Sequence, residues 1–279
     1  MREIDVKQIT ESVKNALQQA CEVIPCDVKK ALNEALKKET EELPQKVLKT
    51  IIANDKLATV KHLPICQDTG IVVCFVEVGY EVHLNGDLYE AINEGVRLAY
   101  TEGYLRKSVV LDPLNRINTL DNTPAIIHTK LVKGDKITLK LAPKGAGSEN
   151  MSFVKMLTPA YKEDDIVDEV VDMIKKAGGK PCPPLVVGIG IGGDLEKAAL
   201  LAKSALFREL DDVNESEYYK ALEEKMKTKI NETYVGPMGY GGNTTCLAVK
   251  INHYPCHIAS LPLSVNIQCH ADRHCTIII

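Results

Sequence analysis

The chain has 279 residues, with 34 Lys and Arg against 38 Asp and Glu, and a formal net charge of −4 at pH 7. This near balance argues against nucleic-acid binding, which needs a basic face, and the 45% of hydrophobic residues excludes a globally disordered chain. No apolar run is long enough for a membrane span, and the first residues lack the apolar core of a signal peptide. The sequence therefore predicts a globular cytoplasmic protein.

Helical periodicity dominates about residues 1–60. Apolar residues recur at steps of three and four from Val6 to Leu17, which predicts a first helix, and further helices are predicted over 27–36 and about 45–54. The β-branched run at 71–79 then predicts a buried strand.

The rest of the chain, about 61–279, alternates between the two periodicities. The segments 125–132 and 136–141, joined by a Lys-Gly-Asp turn, predict a β-hairpin. The remaining predictions are helices at 87–103, 164–176, 194–207 and 216–231, a strand at 185–191, and a β-rich part over 245–279. The expected fold is one α/β domain over 1–279: a helical N-terminal portion, then mixed sheets with packed helices and a β-rich C-terminal part.

Nine cysteines are scattered through the chain. The odd number and the absence of a signal peptide do not fit a disulfide framework, and no Cys-x-x-Cys pair indicates a zinc ribbon. Most free cysteines are buried small hydrophobic residues. Only a few of the nine are therefore candidates for chemistry.

Two short polar segments interrupt the pattern before residue 153. The first, PICQDTG at 64–70, places a thiol, an amide and a carboxylate in succession before the predicted strand. The alternative is an ordinary Asp-Thr-Gly turn with a buried cysteine. The second, KGAGSENMS at 144–152, has small residues that let main-chain N–H groups approach an anion, or it is a surface loop.

A third segment places Cys182 among three prolines, which fix its direction and favour a ligand over a core residue. The glycines at 188–193 match the dinucleotide fingerprint in form. Their mid-chain position, and acidic residues at the start of the following helix, argue against pyrophosphate binding.

The fourth segment spans the C-terminal third. Its glycine-rich stretch at 236–245 lacks the Gly-Lys-Ser/Thr ending of a phosphate-binding loop. The histidines at 257, 270 and 274 raise the possibility of zinc, but His270 and His274, which are four residues apart, lie in a part predicted as β-rich and so form no His-x-x-x-His helix. The apolar end at 276–279 is expected to be buried by the chain itself, by a partner, or in a dimer.

Together these segments resemble the class I (iron–sulfur) fumarate hydratase and L-tartrate dehydratase family, specifically its α subunit or the N-terminal part of its single-chain form. In chain order the motifs are PICQDTG, KGAGSENMS, PCPP with GIGIGGD, GPMGYGGNTT, HIAS and CHADR. The resemblance implies a [4Fe–4S] cluster held by one cysteine from each of three motifs, namely Cys66, Cys182 and Cys269. Cys275 and Cys256 remain alternatives for the third ligand.

The resemblance also implies the other residues of an active site. Asp68 and His257 are its catalytic candidates, and the substrate-binding candidates are Gln67, Arg106, Ala146 and Gly147. Three thiolates leave one of four irons free to act as a Lewis acid on a hydroxy acid. The family usually has glycine where Ala146 stands.

The chain stops before the C-terminal domain of the single-chain relatives, so we expect an α subunit that needs a β subunit for full activity. The predicted partners are that β subunit, a small dicarboxylate, and a second α copy in an α2β2-type assembly. The leading hypothesis is reversible hydration of fumarate to L-malate, and L-tartrate dehydration is the alternative. A redox or sensor protein with a fourth thiolate, or a non-catalytic zinc scaffold, are hypotheses of a different class.

Overall fold

The computed structural model describes residues 1–279 and divides into two compact units. Unit 1 consists of Met1–Pro25, Asp55–Ala146 and Arg273–Ile279, and unit 2 of Cys26–Asn54 and Gly147–Asp272. Both contain helices and strands, the N-terminal part is helical and the C-terminal part is rich in strands, which confirms the predicted fold class. No helix is both long and apolar enough to cross a membrane.

Unit 1 contains most of the elements before residue 146 and the last strand. Its helix α1 is capped by the Asp5 carboxylate, which accepts the main-chain N–H of Lys7. Helix α4 is capped by Asp87, whose carboxylate accepts the N–H groups of Tyr89 and Glu90. The elements are β1 (Arg2–Ile4), α1 (Val6–Glu22), β2 (Ile71–Gly79), β3 (Val82–Leu84), α4 (Leu88–Glu102), β4 (Ile126–Val132), β5 (Ile137–Lys144) and β10 (Cys275–Ile278).

The main sheet of unit 1 has the order β10-β5-β2-β4. Strand β2 lies between β4 and β5, parallel to the first and antiparallel to the second. The predicted hairpin is therefore wrong, although both of its strands exist. The turn at Gly134 passes around the end of β2, where the Glu81 N–H donates to the Gly134 carbonyl, so the two strands pair with β2 and not with each other.

Helices α1 and α4 cover one face of this sheet and form the core of unit 1 with it. Gly95 permits their close approach, because a Cβ there would lie 2.8 Å from the side chain of Val13. The apolar chain end is paired within the chain and partly buried, since Ile279 is buried whereas Ile278 is 64% exposed. Strand β10 pairs with β5, and Ile279 exchanges two main-chain hydrogen bonds with Ile137.

Unit 2 contains a second four-stranded sheet with the order β6-β9-β7-β8. Strand β7 is central, parallel to β8 and antiparallel to β9. Two helices cross the boundary between the units: α3 (Glu42–Lys61) runs on into unit 1, and α5 (Ala146–Glu149) begins at the last residue of unit 1. The elements that lie wholly in unit 2 are α2 (Cys26–Lys38), β6 (Phe153–Leu157), α6 (Glu163–Ala177), β7 (Leu185–Gly192), α7 (Leu195–Ala205), α8 (Glu217–Asn231), a 3-10 turn (Pro237–Gly239), β8 (Cys246–Tyr254) and β9 (Leu261–Gln268).

The glycines of the apparent dinucleotide fingerprint have a packing role. Gly188 and Gly190 lie inside β7, where a Cβ would come within 2.3 Å and 2.0 Å of carbonyl oxygens of α7. The helix itself is capped by Asp194, whose carboxylate accepts the N–H of Lys197 at 2.8 Å. This end of α7 is thus satisfied by its own carboxylate, as expected from the sequence.

Candidate functional site

The segment 66–70, called the 66–70 turn below, leads directly into β2 and is built around the side chain of Asp68. One oxygen of this carboxylate accepts the Gly70 N–H at 3.0 Å and the other accepts the Ala146 N–H at 2.9 Å. Gly70 has φ +74°, and a Cβ there would lie 2.6 Å from the main chain of Lys144. The turn therefore needs glycine at this position, and Asp68 ties it to the end of β5.

Further hydrogen bonds hold the same turn from its other sides. The Thr69 hydroxyl donates to the Arg106 carbonyl at 2.7 Å, and the Tyr100 hydroxyl donates to the carbonyls of Thr69 and Gly70. The buried Asn122 amide also donates to the Gly70 carbonyl, at 3.2 Å. Unit 1 therefore brings the main chain of Arg106 against the turn.

The side chains that the turn presents differ in exposure. Cys66 and Gln67 are exposed and Asp68 is half-buried, while Arg106 is also exposed although its main chain is anchored. The alternative reading, a buried cysteine in an ordinary turn, does not describe Cys66. The arrangement offers a thiol, an amide and a guanidinium to a ligand, with a carboxylate that is already oriented.

Sequence reasoning missed Arg273 as part of this site, although it lies in the CHADR motif. Its guanidinium Nη2 donates to the main-chain carbonyl of Asp68 at 2.9 Å, and the side chain is 2% exposed. The Asp68 carbonyl lies 205 residues earlier in the chain, so no local sequence pattern indicates this contact and only the tertiary structure shows it.

In unit 2, Cys182 and Cys269 lie at the same edge of the sheet. Cys182 precedes β7 and Cys269 follows β9, and these strands are antiparallel neighbours with Val186 opposite Gln268. The loops touch, because the His270 N–H donates to the Cys182 carbonyl at 3.2 Å. Both thiols belong to partly exposed residues.

The Cys182 loop has an unusual backbone. Cys182 itself has φ +57°, and the Pro183–Pro184 bond is cis. The loop is held by the Cys182 N–H, which donates to Gly179 at 3.0 Å, and by the Met238 N–H, which donates to Pro183 at 2.7 Å. The glycine-rich motif around Met238 thus supports the Cys182 loop.

The loop that follows β5 reaches this edge too. A Cβ on Gly147 would lie 3.7 Å from the Lys180 carbonyl, beside the Cys182 loop. Glu149 pairs with Lys203 and also accepts a hydrogen bond from the Asn266 amide at 2.9 Å. These two contacts of Glu149 hold the loop next to α7, which contains Lys203, and next to β9, which contains Asn266.

His257 lies at the opposite edge of the same sheet. It stands in the exposed turn between β8 and β9, where its Nδ1 accepts the Ala259 N–H at 3.1 Å. Strand β9 runs from this turn to Cys269, and its eight residues span roughly 23 Å. Unit 2 therefore does not bring His257 to the edge that holds Cys182 and Cys269.

Burial raises the thiol pKa of four of the other six cysteines, whereas Cys26 and Cys256 are exposed. Burial raises the pKa of Cys21 to about 11 and that of Cys74 and Cys246 to about 12. Cys275 packs against the core of unit 1, and burial raises its thiol pKa to about 12 as well. Cys256 lies in the His257 turn, at the opposite edge from Cys182.

The accessible thiols are divided between the two units. Neither unit by itself gathers three His, Cys, Asp or Glu side chains that could hold a metal ion. Cys66 belongs to unit 1, and Cys182 and Cys269 belong to unit 2. Three accessible thiols on glycine- and proline-rich loops are the soft donor set that iron–sulfur clusters take, so the residues present fit such a group in their chemistry.

The fold and these loops define an α/β chain that carries accessible thiols and exposed polar side chains on its loops. The sequence matches the profile of the fumarate hydratase (Fumerase) family over residues 10–278. The chain therefore belongs to this family, which confirms the resemblance noted from its motifs, and it is a hydro-lyase.

Its relatives are similar over nearly their whole length. The chain is 42% identical over 273 residues to a protein of Methanocaldococcus jannaschii named "Putative L(+)-tartrate dehydratase subunit alpha", covering 95% of each chain. It is 27% identical over 278 residues to the L(+)-tartrate dehydratase subunit alpha of Escherichia coli O157:H7, covering 98% of this chain and 91% of the relative.

Proposed function

We propose that the chain is the α subunit of a class I hydro-lyase that uses a [4Fe–4S] cluster and adds water reversibly to fumarate. The observation that carries the proposal is the 66–70 turn, which presents Cys66 and Gln67 beside an oriented Asp68 and an anchored Arg106. L(+)-tartrate dehydration is the second candidate, and the names of the two relatives favour it.

Cys66, Cys182 and Cys269 would hold the cluster. When bound, it supplies an iron without a protein ligand, which polarises the C–O bond of a hydroxy acid. Cys269 is the better third ligand because Cys275 is part of the core of unit 1. Cys256 lies at the sheet edge away from Cys182.

The exposed residues of the turn would bind and orient the substrate. Arg106 offers a planar guanidinium, which pairs with a carboxylate through two parallel hydrogen bonds. Gln67 offers an amide that can donate and accept. Because the Arg106 main chain is tied to Thr69, the main-chain positions from which the Arg106 and Gln67 side chains extend would keep a fixed separation.

Asp68 would hold or move a proton at its carboxylate. Both of its oxygens already accept main-chain N–H groups, which fixes the direction of the remaining lone pairs. The Ala146 N–H already donates to Asp68, so Ala146 would act through that carboxylate. Of the two main-chain candidates, Gly147 would then donate its N–H to the substrate.

We further propose that the α chain works with a β subunit and a second α copy. The relatives are named as α subunits, which implies a β partner. The position of His257 at the far edge of unit 2 supports a second copy, because His257 can then serve a site other than that of its own chain.

Anaerobic reconstitution with iron and sulfide, followed by turnover assays with fumarate, L-malate and L(+)-tartrate, tests the proposal. The assays compare the α chain alone with the α chain plus the β subunit of the same organism. We expect turnover only with both chains. We also expect mild oxidation to remove one iron from the cluster, which electron paramagnetic resonance would detect.

Each other outcome has a definite meaning. Turnover of tartrate without fumarate selects the second candidate. A four-thiolate cluster that keeps all its iron on oxidation would establish a redox or sensor protein, and zinc in place of iron would establish a scaffold. Either result would overturn the proposed function.

A further inference from the structure

Arg273 is a buried cation in unit 1 without a carboxylate partner. Its side chain is 2% exposed, and its one hydrogen bond runs from Nη2 to the Asp68 carbonyl. The remaining donor atoms, Nε and Nη1, are buried without a hydrogen-bond partner. A buried guanidinium ordinarily has its donors satisfied and its charge paired, because removing it from water is strongly unfavourable.

Two other arginines of the chain show the usual arrangement. Arg97 pairs with Glu94 and Asp121, and Arg208 pairs with Asp212 and Glu223. Both of these side chains are more exposed than Arg273, which has no such pair. Arg273 therefore carries a buried charge that no ion pair compensates.

The surroundings of Arg273 connect it to the turn. A Cβ on Gly145 would lie 3.0 Å from the Asp68 carboxylate and 3.9 Å from Arg273 Nη2, so the main chain at Gly145 lies close to both side chains. Asp68 is thus held at its carbonyl by Arg273 and at its carboxylate by Gly70 and Ala146.

We infer that Arg273 is a positioning residue for the 66–70 turn. It fixes the Asp68 carbonyl, and through it the direction in which Cys66 and Gln67 leave the turn. Its unpaired positive charge compensates the anionic groups that gather there, which are thiolates and a dicarboxylate. The identity of these anions rests on the proposed function, whereas the positioning of the turn does not.

Hydrogen exchange of the full α chain, without cluster or substrate, tests the positioning role. In Arg273→Met we expect the N–H groups of Gly70 and Ala146, which donate to Asp68, to exchange at least ten-fold faster. Amides at the centre of β2, such as Val76, should change less than two-fold. The substitution removes the charge-assisted hydrogen bond from Arg273 to the Asp68 carbonyl but leaves the main-chain hydrogen bonds of β2 in place.

Two further variants complete the experiment. Arg273→Lys keeps the charge and a donor, and we expect an intermediate increase of about three-fold, which is measurable even if methionine prevents folding. Arg208→Met removes a paired arginine of unit 2 and should leave Gly70 and Ala146 unchanged. An equal increase at the turn and in β2, or no change at the turn in Arg273→Lys, would overturn the inference.

The charge compensation has its own readout in the reconstituted complex. Arg273→Lys should lower kcat and raise KM for the dicarboxylate, each by about ten-fold, with iron content retained. Unchanged constants would refute the compensation. Absence of turnover in the unsubstituted complex would instead refute the proposed function, while the exchange result on Gly70 and Ala146 would still stand.

Discussion

At the residue scale, the candidate site depends on two left-handed backbone positions. Gly70 at φ +74° lets the turn lie against β5, which glycine adopts without strain. Cys182 at φ +57° adopts a conformation that is uncommon for a residue with a Cβ. Such strain persists where the surrounding structure imposes it, and it concentrates at functional sites, which is why Cys182 is the thiol to test first.

Cys182→Ser should prevent stable cluster assembly and leave the fold intact, because serine has nearly the same shape but is a poor ligand for iron. We expect iron and sulfide per chain to fall to background after anaerobic reconstitution, with a melting temperature within about 2 °C of the unsubstituted chain.

Cys256→Ser is the matched control, since Cys256 is an exposed thiol of the same unit at the other edge of the sheet. It should keep the full iron content. Normal iron content in Cys182→Ser would refute the ligand assignment, and loss of iron in Cys256→Ser would favour a cluster closed by a fourth thiolate.

At the element scale, the centre of unit 2 depends on how closely α7 approaches β7. All eight residues of β7 are buried, as is usual for a central strand covered on both faces. The alternation of glycine with Ile189 and Ile191 gives this strand one apolar face and an opposite face that has no side chains at Gly188 and Gly190. The first packs in the core with α6 and α8, and the second admits α7.

Gly190→Ala should therefore destabilise the protein by about 3 kcal/mol, because the added Cβ would lie 2.0 Å from the Ala198 carbonyl and the helix has to move away. Urea unfolding followed by circular dichroism measures the change. Gly241→Ala offers a comparison in the same unit, since a Cβ there meets nothing within 4 Å.

At Gly241 only the left-handed backbone opposes alanine, at a cost of about 1 kcal/mol. Equal destabilisation of the two variants would show that close packing of α7 does not govern the stability of unit 2.

At the scale of the whole molecule, the chain forms two compact units from five separate pieces. The proposed ligands are divided between them, with Cys66 in unit 1 and both Cys182 and Cys269 in unit 2. His257 stands at the far edge of the unit 2 sheet. If His257 acts in catalysis, an assembly of two α copies is the arrangement that lets it serve the other chain's site.

Mixing two inactive variants tests this exchange between copies. His257→Ala and Cys182→Ser should each be inactive with the β subunit, and chains unfolded and refolded together should regain activity. A mixed dimer restores one of its two sites, and half of the dimers are mixed, so recovery should approach about a quarter of the unsubstituted activity.

No recovery on mixing would show that His257 acts within its own chain or not at all. Activity of His257→Ala by itself, at the unsubstituted level, would remove His257 from the proposed site.

Short sequence patterns were sufficient to predict many of the helices, strands and loops of this protein. The apolar period of α1, the β-branched run of β2 and the caps at Asp87 and Asp194 depend on neighbours within a few residues, so they are visible in the sequence. The motif residues around Cys66 and Cys182 were visible in the same way, because glycine and proline mark unusual backbone directly.

The tertiary structure alone decided the features that join distant parts of the chain. It placed β2 between β4 and β5, since strand order depends on contacts that no local pattern encodes. It showed the bond from Arg273 to Asp68, and it separated His257 from Cys182 by the length of a strand. Elements follow from short-range periodicity, whereas pairing and the surroundings of a side chain follow from long-range packing, which one sequence does not reveal.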